Sequence, residues 1–116
     1  MKNIEVLRSE QEDLQDLYNT ITGTFKLASL QSVKYSDLVR VFGEPSIDQE
    51  SGDGKVQFEW VIKYGGDKIF TIYDWKTFER NYTIEKLEVW SIGGREKDHE
   101  FFEELRTLFN PTGLVL

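Results

Sequence analysis

The run Val56-Gln57-Phe58-Glu59-Trp60-Val61-Ile62-Lys63-Tyr64-Gly65-Gly66-Asp67-Lys68-Ile69-Phe70-Thr71-Ile72-Tyr73-Asp74-Trp75 decides the fold. Val56, Phe58, Trp60, Ile62 and Tyr64 alternate with Gln57, Glu59 and Lys63, and a period of two sends successive side chains to opposite faces of a strand. Gly65-Gly66-Asp67 accepts the positive φ of a tight turn, so Lys68–Trp75 returns as the antiparallel partner. On that return Phe70 and Ile72 share one face, and Ile69, Tyr73 and Trp75 share the other. A strand apolar on both faces belongs in the interior of a sheet with cover on each side.

Beyond the hairpin the polar stretch Lys76–Asn81 leads to a third strand over Ile84–Ile92, with Leu87 and Val89 on one face and Trp90 and Ile92 on the other. Gly93-Gly94 is expected to break the sheet. A helix starting near Lys97 or Asp98 and ending near Phe109 carries Phe101, Phe102, Leu105, Leu108 and Phe109 as a wide apolar stripe, and Asn110-Pro111 stops it. Leu114-Val115-Leu116 is expected to fray or to mark a partner contact. On the other side of the hairpin, Ser9-Glu10-Gln11-Glu12 forms a capping box for a helix over residues 10–22. That helix has Leu14, Leu17, Tyr18 and Ile21 on one stripe and Gly23 at its end. Thr24–Leu27 is a short strand, residues 28–33 show no firm period, and a helix opening at Ser36-Asp37 buries Leu38, Val39 and Phe42 before Gly43 and Pro45 end it. Ser46–Gly54 is polar loop. The expected class is α+β over residues 1–116 as one domain: a three- to four-stranded antiparallel sheet with about three helices packed mainly on one face.

Composition narrows the chemistry. The 116 residues contain no Cys and a single His, which removes thiol nucleophiles, disulfides and Cys-based metal sites. With 14 Lys+Arg against 21 Asp+Glu the net charge is −7, so the chain as a whole repels a phosphate backbone. Residues 1–24 and 98–116 each hold −3 of that charge, while residues 57–97 are balanced. The three Trp, five Tyr and eight Phe supply large rigid units for a core. No apolar run reaches the roughly 18–20 residues needed to span a bilayer, and the first residues lack the apolar centre of a secretion signal.

Few residues form a chemical motif. His99 and Glu103 lie one helical turn apart, but the second His of a zinc motif is missing. Asp48, Glu50 and Asp53 beside Gly52 and Gly54 suggest a calcium loop without its closing Glu. Ser91-Ile92-Gly93-Gly94-Arg95 could cradle an anion with exposed amides, yet it has neither the full glycine fingerprint nor the Walker lysine. The aromatics carry more. Trp60, Tyr64, Tyr73, Trp75, Tyr82 and Trp90 fall in or beside the strands, and a sheet apolar on both faces offers more aromatic surface than three short helices cover. An aromatic platform rimmed by Lys76, Arg80 and Arg95 suits a protein interface or a planar ligand. A second candidate surface is acidic: Glu10, Glu12, Asp13 and Asp16 on the first helix, and Glu100, Glu103 and Glu104 on the last.

The runs Tyr35-Ser36-Asp37-Leu38-Val39-Arg40-Val41-Phe42-Gly43-Glu44-Pro45, Glu59-Trp60-Val61-Ile62, Thr71-Ile72-Tyr73-Asp74-Trp75-Lys76 and Trp90-Ser91-Ile92-Gly93-Gly94 together resemble a family of small proteins of bacteriophages and other large DNA viruses. The resemblance covers roughly residues 33–97 and implies a viral origin without bringing catalytic residues. Ser91 departs from the pattern, since a His often precedes the glycine turn in the relatives.

From these readings we expect a non-enzymatic, phage-type interaction protein that binds and inhibits a host factor in the host cytoplasm, such as a defence nuclease or another nucleic-acid machine, as anti-CRISPR proteins do. Its partner is expected to be a protein with a basic surface, without direct contact to nucleic acid or membrane, and self-association stays open. The expected partner-binding residues are Trp75, Lys76, Trp90, Arg95, Glu100, Glu103 and Glu104, with no catalytic residue, metal or cofactor. The alternative is a protein that sequesters a small ligand such as a nucleotide signal, using the aromatic platform and the amides of Gly93 and Gly94.

Overall fold

The computed structural model of the chain describes residues 2–9 and 13–116. Its elements in order are β1 (Ile4–Val6), α1 (Leu14–Ile21), β2 (Phe25–Gln31), α2 (Tyr35–Phe42), β3 (Glu59–Tyr64), β4 (Lys68–Tyr73), α3 (Arg80–Lys86), β5 (Val89–Gly94), α4 (His99–Leu108) and β6 (Gly113–Val115). The strands form one antiparallel sheet in the order β1-β3-β4-β5-β2-β6. The class is therefore α+β as expected, but among the described residues the sheet has six strands and four helices accompany it.

The β3–β4 hairpin forms where the alternation places it. Glu59 pairs with Tyr73 and Tyr64 with Lys68, and Gly65 and Gly66 turn the chain at φ 65° and 90°. Such angles cost a side-chain-bearing residue about 1 kcal/mol or more, which is why glycine stands there.

The third strand lies further along than expected. Residues 84–86 belong to α3, whose one buried residue is Thr83, while Tyr82 and Ile84 face outward. The strand is Val89–Gly94, and Gly93 and Gly94 sit inside it instead of breaking it. Their role is spatial. A Cβ on Gly93 would lie 2.8 Å from Thr71 Cγ2 and 3.3 Å from Tyr73 Cε1, and one on Gly94 would lie 2.8 Å from Leu27 Cδ1. Both faces of the sheet close over this point, so only hydrogen fits.

Two segments without a legible period are strands. β2 extends to Gln31 between β5 and β6, with a register shift between Lys26 and Ala28 that mixes its inward and outward positions. β6 takes up Leu114 and Val115, which pair with Leu30 and Ser29.

Helices occupy both faces, a departure from the expected packing mainly on one face. α2 and α4 cover one face with Leu38, Phe42, Phe101, Phe102 and Leu105 over Trp60, Ile62, Phe70, Ile72, Trp90 and Ile92. α1 lies on the other face, its Leu17 fully buried with Leu7, Ile47 and Val61. Its N-cap is Asp13, whose side chain accepts from the Asp16 amide, in place of the expected Ser9; residues 10–12 of the expected capping box and helix start lie outside the described ones. Two indoles pin α2 to the sheet. Trp90 Nε1 donates to Val33 O just before α2 (2.7 Å), Trp60 Nε1 donates to Gly43 O just after it (2.9 Å), and the two rings meet edge to face at 5.6 Å.

Candidate functional site

The strongest concentration of exposed aromatic surface follows β4. Trp75 is 50% exposed and Phe78 67%, with Tyr82 beyond them on α3 at 49%. Apolar surface of this size is ordinarily buried, and here it is held outward by buried polar residues between and behind it.

Asp74 is the first anchor. It is fully buried, and its carboxylate accepts the amides of Gln57 (2.9 Å) and Phe58 (2.9 Å). These bonds replace the ladder pairing that ends at Tyr73 and bind the chain leaving β4 to the chain entering β3. Burial raises the Asp74 carboxyl above the usual range, against the pull of the amides that solvate its charge. Gln57, also buried, is the second anchor: its Nε2 donates to Thr77 O at 2.8 Å and to Gly54 O at 3.1 Å. Thr77 N in turn donates to Lys55 O at 3.1 Å. Arg80 closes the network from α3, donating to Gln57 O at 3.0 Å, pairing with Asp48 and lying 4.2 Å over the Phe58 ring.

With residues 74 and 77 tied inward, residues 75, 76 and 78 must point out. Lys76 takes a left-handed backbone (φ 58°), which lets the chain turn between the anchors. Trp75 rests edge to face on Tyr73 at 6.3 Å, with Lys55 Nζ 5.5 Å from its ring centroid. The result is a pre-shaped knuckle of Trp75, Lys76 and Phe78 on a fixed backbone.

The other expected site residues are dispersed. Trp90 is 1% exposed with its N–H satisfied, so it is core and not surface. Arg95 follows β5 at the end of the sheet opposite the knuckle, where its guanidinium donates to Thr20 O and Thr22 O (both 2.8 Å) at the C-terminus of α1. The rim of Lys76, Arg80 and Arg95 does not form around one platform, because Arg80 is drawn inward and Arg95 lies a strand length away. The amides of Gly93 and Gly94 lie in a strand paired on both sides, so they form neither a strand-to-helix turn nor the anion cradle of the alternative reading.

On α4, Glu100 and Glu103 are exposed and Glu104 is buried. Glu103 pairs with Arg106 and stands 3.9 Å from His99 Nε2. In the Asp48–Gly54 loop, Asp53 Oδ1 accepts from Ser51 Oγ (2.7 Å) and Lys55 N (3.1 Å), and these bonds hold its carboxyl below the usual range. Among the described residues no group of three or more His, Cys, Asp or Glu is placed to hold a metal ion, and no helix is long and apolar enough to cross a membrane.

The sequence reading missed Phe78, Lys55 and the anchors Asp74, Gln57 and Thr77. One signal for them was present: an aspartate between Tyr73 and Trp75 at the end of an apolar strand has to be solvated by something, and backbone amides are the nearest donors. It also missed Glu59, which accepts the Thr71 hydroxyl and whose carboxyl is pushed up to about 7, by burial first and by the Asp74 charge as well. Compared with known proteins, the chain matches no family model, and no curated protein or solved structure is similar to it to a significant degree.

Proposed function

We propose that this chain is a non-enzymatic interaction protein that docks on a host protein, with Trp75, Lys76 and Phe78 as the anchor of the contact. The inhibitory, anti-defence role expected from the sequence is the biological form of this reading. The observation that carries it is the fixed knuckle: two exposed aromatic rings within four residues, held by a buried Asp74–Gln57–Thr77 network. Aromatic anchors that lose little conformational freedom on binding are the chemistry of interface hot spots, where truncation of one ring costs about 2–4 kcal/mol. Lys55 and Lys76 beside the rings add positive charge to a chain that is negative overall, which gives the contact a local polarity and hence an orientation.

The double variant Trp75→Ala/Phe78→Ala tests this. Both side chains are largely exposed, so the midpoint of thermal unfolding should stay near that of the wild type. Host proteins crosslinked to the wild-type chain and identified by mass spectrometry should lose at least one specific partner with the double variant and retain it with a Tyr18→Phe control. A partner retained equally by both chains, or collapse of the fold in the variant, would refute the knuckle as an anchor.

A further inference from the structure

The outer edge of β1 is a backbone ladder without a partner. Leu7 N donates to Val61 O at 2.9 Å and Gly65 N to Asn3 O at 2.8 Å, so Asn3, Glu5 and Leu7 turn their amides and carbonyls toward β3. In an antiparallel pair that direction alternates from residue to residue, and the N–H and C=O groups of Ile4 and Val6 therefore point away from the sheet. Among the described residues no strand lies beyond β1, and no other backbone group bonds to these four.

The same two residues floor a groove. Ile4 and Val6 stand opposite Tyr64 and Ile62 and pack against the core on the side of α2 and α4. With Arg8, Val41, Phe42 and Leu108 they line an open groove of about 360 Å³ between the strand edge and the C-terminal turns of those two helices. Every lining residue but Arg8 is apolar, and Arg8 stands at one end. Its guanidinium donates to Phe42 O and Glu44 O, neutral acceptors that leave its charge in place, and among the described residues no carboxylate pairs with it.

We propose that an extended peptide of a partner protein adds to this edge antiparallel to β1, with two apolar side chains in the groove and an acidic one on Arg8. The site is separate from the knuckle, which follows β4, and does not depend on it. Residues directly opposite one another in a sheet share a face, so the peptide residues that bond to Ile4 and Val6 send their own side chains into the groove beside Val41, Phe42 and Leu108. The next position of the same parity stands opposite Arg8. Because the two chains run in opposite directions, the peptide reads acidic-x-apolar-x-apolar. A helix would fill the groove but leave the outward groups of Ile4 and Val6 without partners. A strand satisfies both, its main-chain bonds giving affinity and the groove giving specificity. The charge is selected by Arg8: two of its five N–H donors are spent on carbonyls, and the others are open to a carboxylate.

The test titrates the full chain, labelled with heavy nitrogen for NMR, with the peptide acetyl-Thr-Glu-Thr-Val-Thr-Val-Thr-amide. The amides of Ile4 and Val6 should shift saturably and exchange more slowly with solvent. A peptide with Lys in place of Glu should bind about threefold more weakly or worse. An isomer with the two valines adjacent should also bind more weakly, because only one side chain then reaches the groove. N-methylation of both valines removes the donors facing Ile4 and Val6 while keeping the side chains, and should abolish the saturable shift. Arg8→Gln should erase the difference between the Glu and Lys peptides, and Trp75→Ala/Phe78→Ala should bind the Glu peptide as the wild type does. Absence of a saturable shift at Ile4 and Val6 would overturn the proposal, as would equal binding of the N-methylated, isomeric or Lys peptide. So would a doubled mass in analytical ultracentrifugation with Ile4 and Val6 protected before peptide is added, which would give the edge to a second copy of the chain.

Discussion

Glu59 shows how a single residue ties the sheet to the site. Its carboxyl, at about 7, is raised chiefly by burial, with the Thr71 hydroxyl pulling the other way and the neighbouring Asp74 charge raising it further. A carboxyl raised in the folded state binds a proton more tightly there than in the unfolded chain. Its contribution to stability is therefore fully present below its ordinary value and is lost as pH rises through 7. Between pH 5 and pH 8 this one group should remove about 3 kcal/mol of stability. Glu59→Gln keeps an acceptor for Thr71 and removes the titration, so urea unfolding should be flatter over that range and the variant should be more stable than wild type at pH 8. Identical pH profiles for the two chains would refute the burial of that charge. Asp98 works in the opposite direction: Lys68, 2.5 Å away, holds its carboxyl below the usual range, so its contribution is lost only as the solution becomes acidic. None of this could be read from the chain itself, where Glu59 is the polar member of an alternating pair. It becomes buried because Ile47 pairs with it from outside the hairpin and Val61 beside it packs under α1.

At the scale of elements, the end of β4 carries the functional reading. A strand that stops leaves amides without partners, and Asp74 supplies oxygens for two of them, Gln57 and Phe58, across the hairpin. Asp74→Ala should cost about 3 kcal/mol, since both amides lose a charged acceptor inside the protein. Amide exchange should localise the loss, with Gln57, Phe58 and Thr77 losing protection before the β3–β4 ladder does. Unchanged protection at these three residues would mean that the knuckle is held by something else. The same scale explains which elements were legible. The hairpin, α2 and α4 reveal themselves through local periods and caps such as Asp98, whose side chain accepts the Phe101 amide. β2 and β6 do not, because their pairing joins residues more than eighty positions apart and the bulge in β2 breaks the alternation. α3 was misread because Tyr82, Thr83 and Ile84 have strand propensity, and what decides their conformation is the packing of α3 beside α2. Trp75 was legible as a surface candidate, while its anchors were not, since a buried Asp–Gln–Thr network looks like an ordinary polar stretch until the chain folds back on it.

At the scale of the whole molecule, the two surfaces differ in charge and should control different steps of binding. The chain carries −7, and Glu100 and Glu103 place part of that charge on the exposed side of α4. Long-range attraction between such a face and a basic partner accelerates encounter and is screened within a Debye length of about 8 Å at physiological salt. On the proposed reading the knuckle, built from rings, acts after contact and sets the rate of departure. Glu100→Lys/Glu103→Lys should therefore slow association with the crosslinked partner by roughly tenfold or more in low salt, leave dissociation within a factor of about two, and flatten the dependence of the association rate on ionic strength. Trp75→Ala should do the reverse, speeding dissociation while association and its salt dependence stay close to wild type. Glu104 is kept out of the charge-reversed pair because it is buried, and a lysine there would test folding instead of steering. Stopped-flow association at several salt concentrations, paired with dissociation by competition, separates the two effects. If reversal of Glu100 and Glu103 changes only the departure rate, the acidic face is part of the contact itself and the division of labour between α4 and the knuckle does not hold.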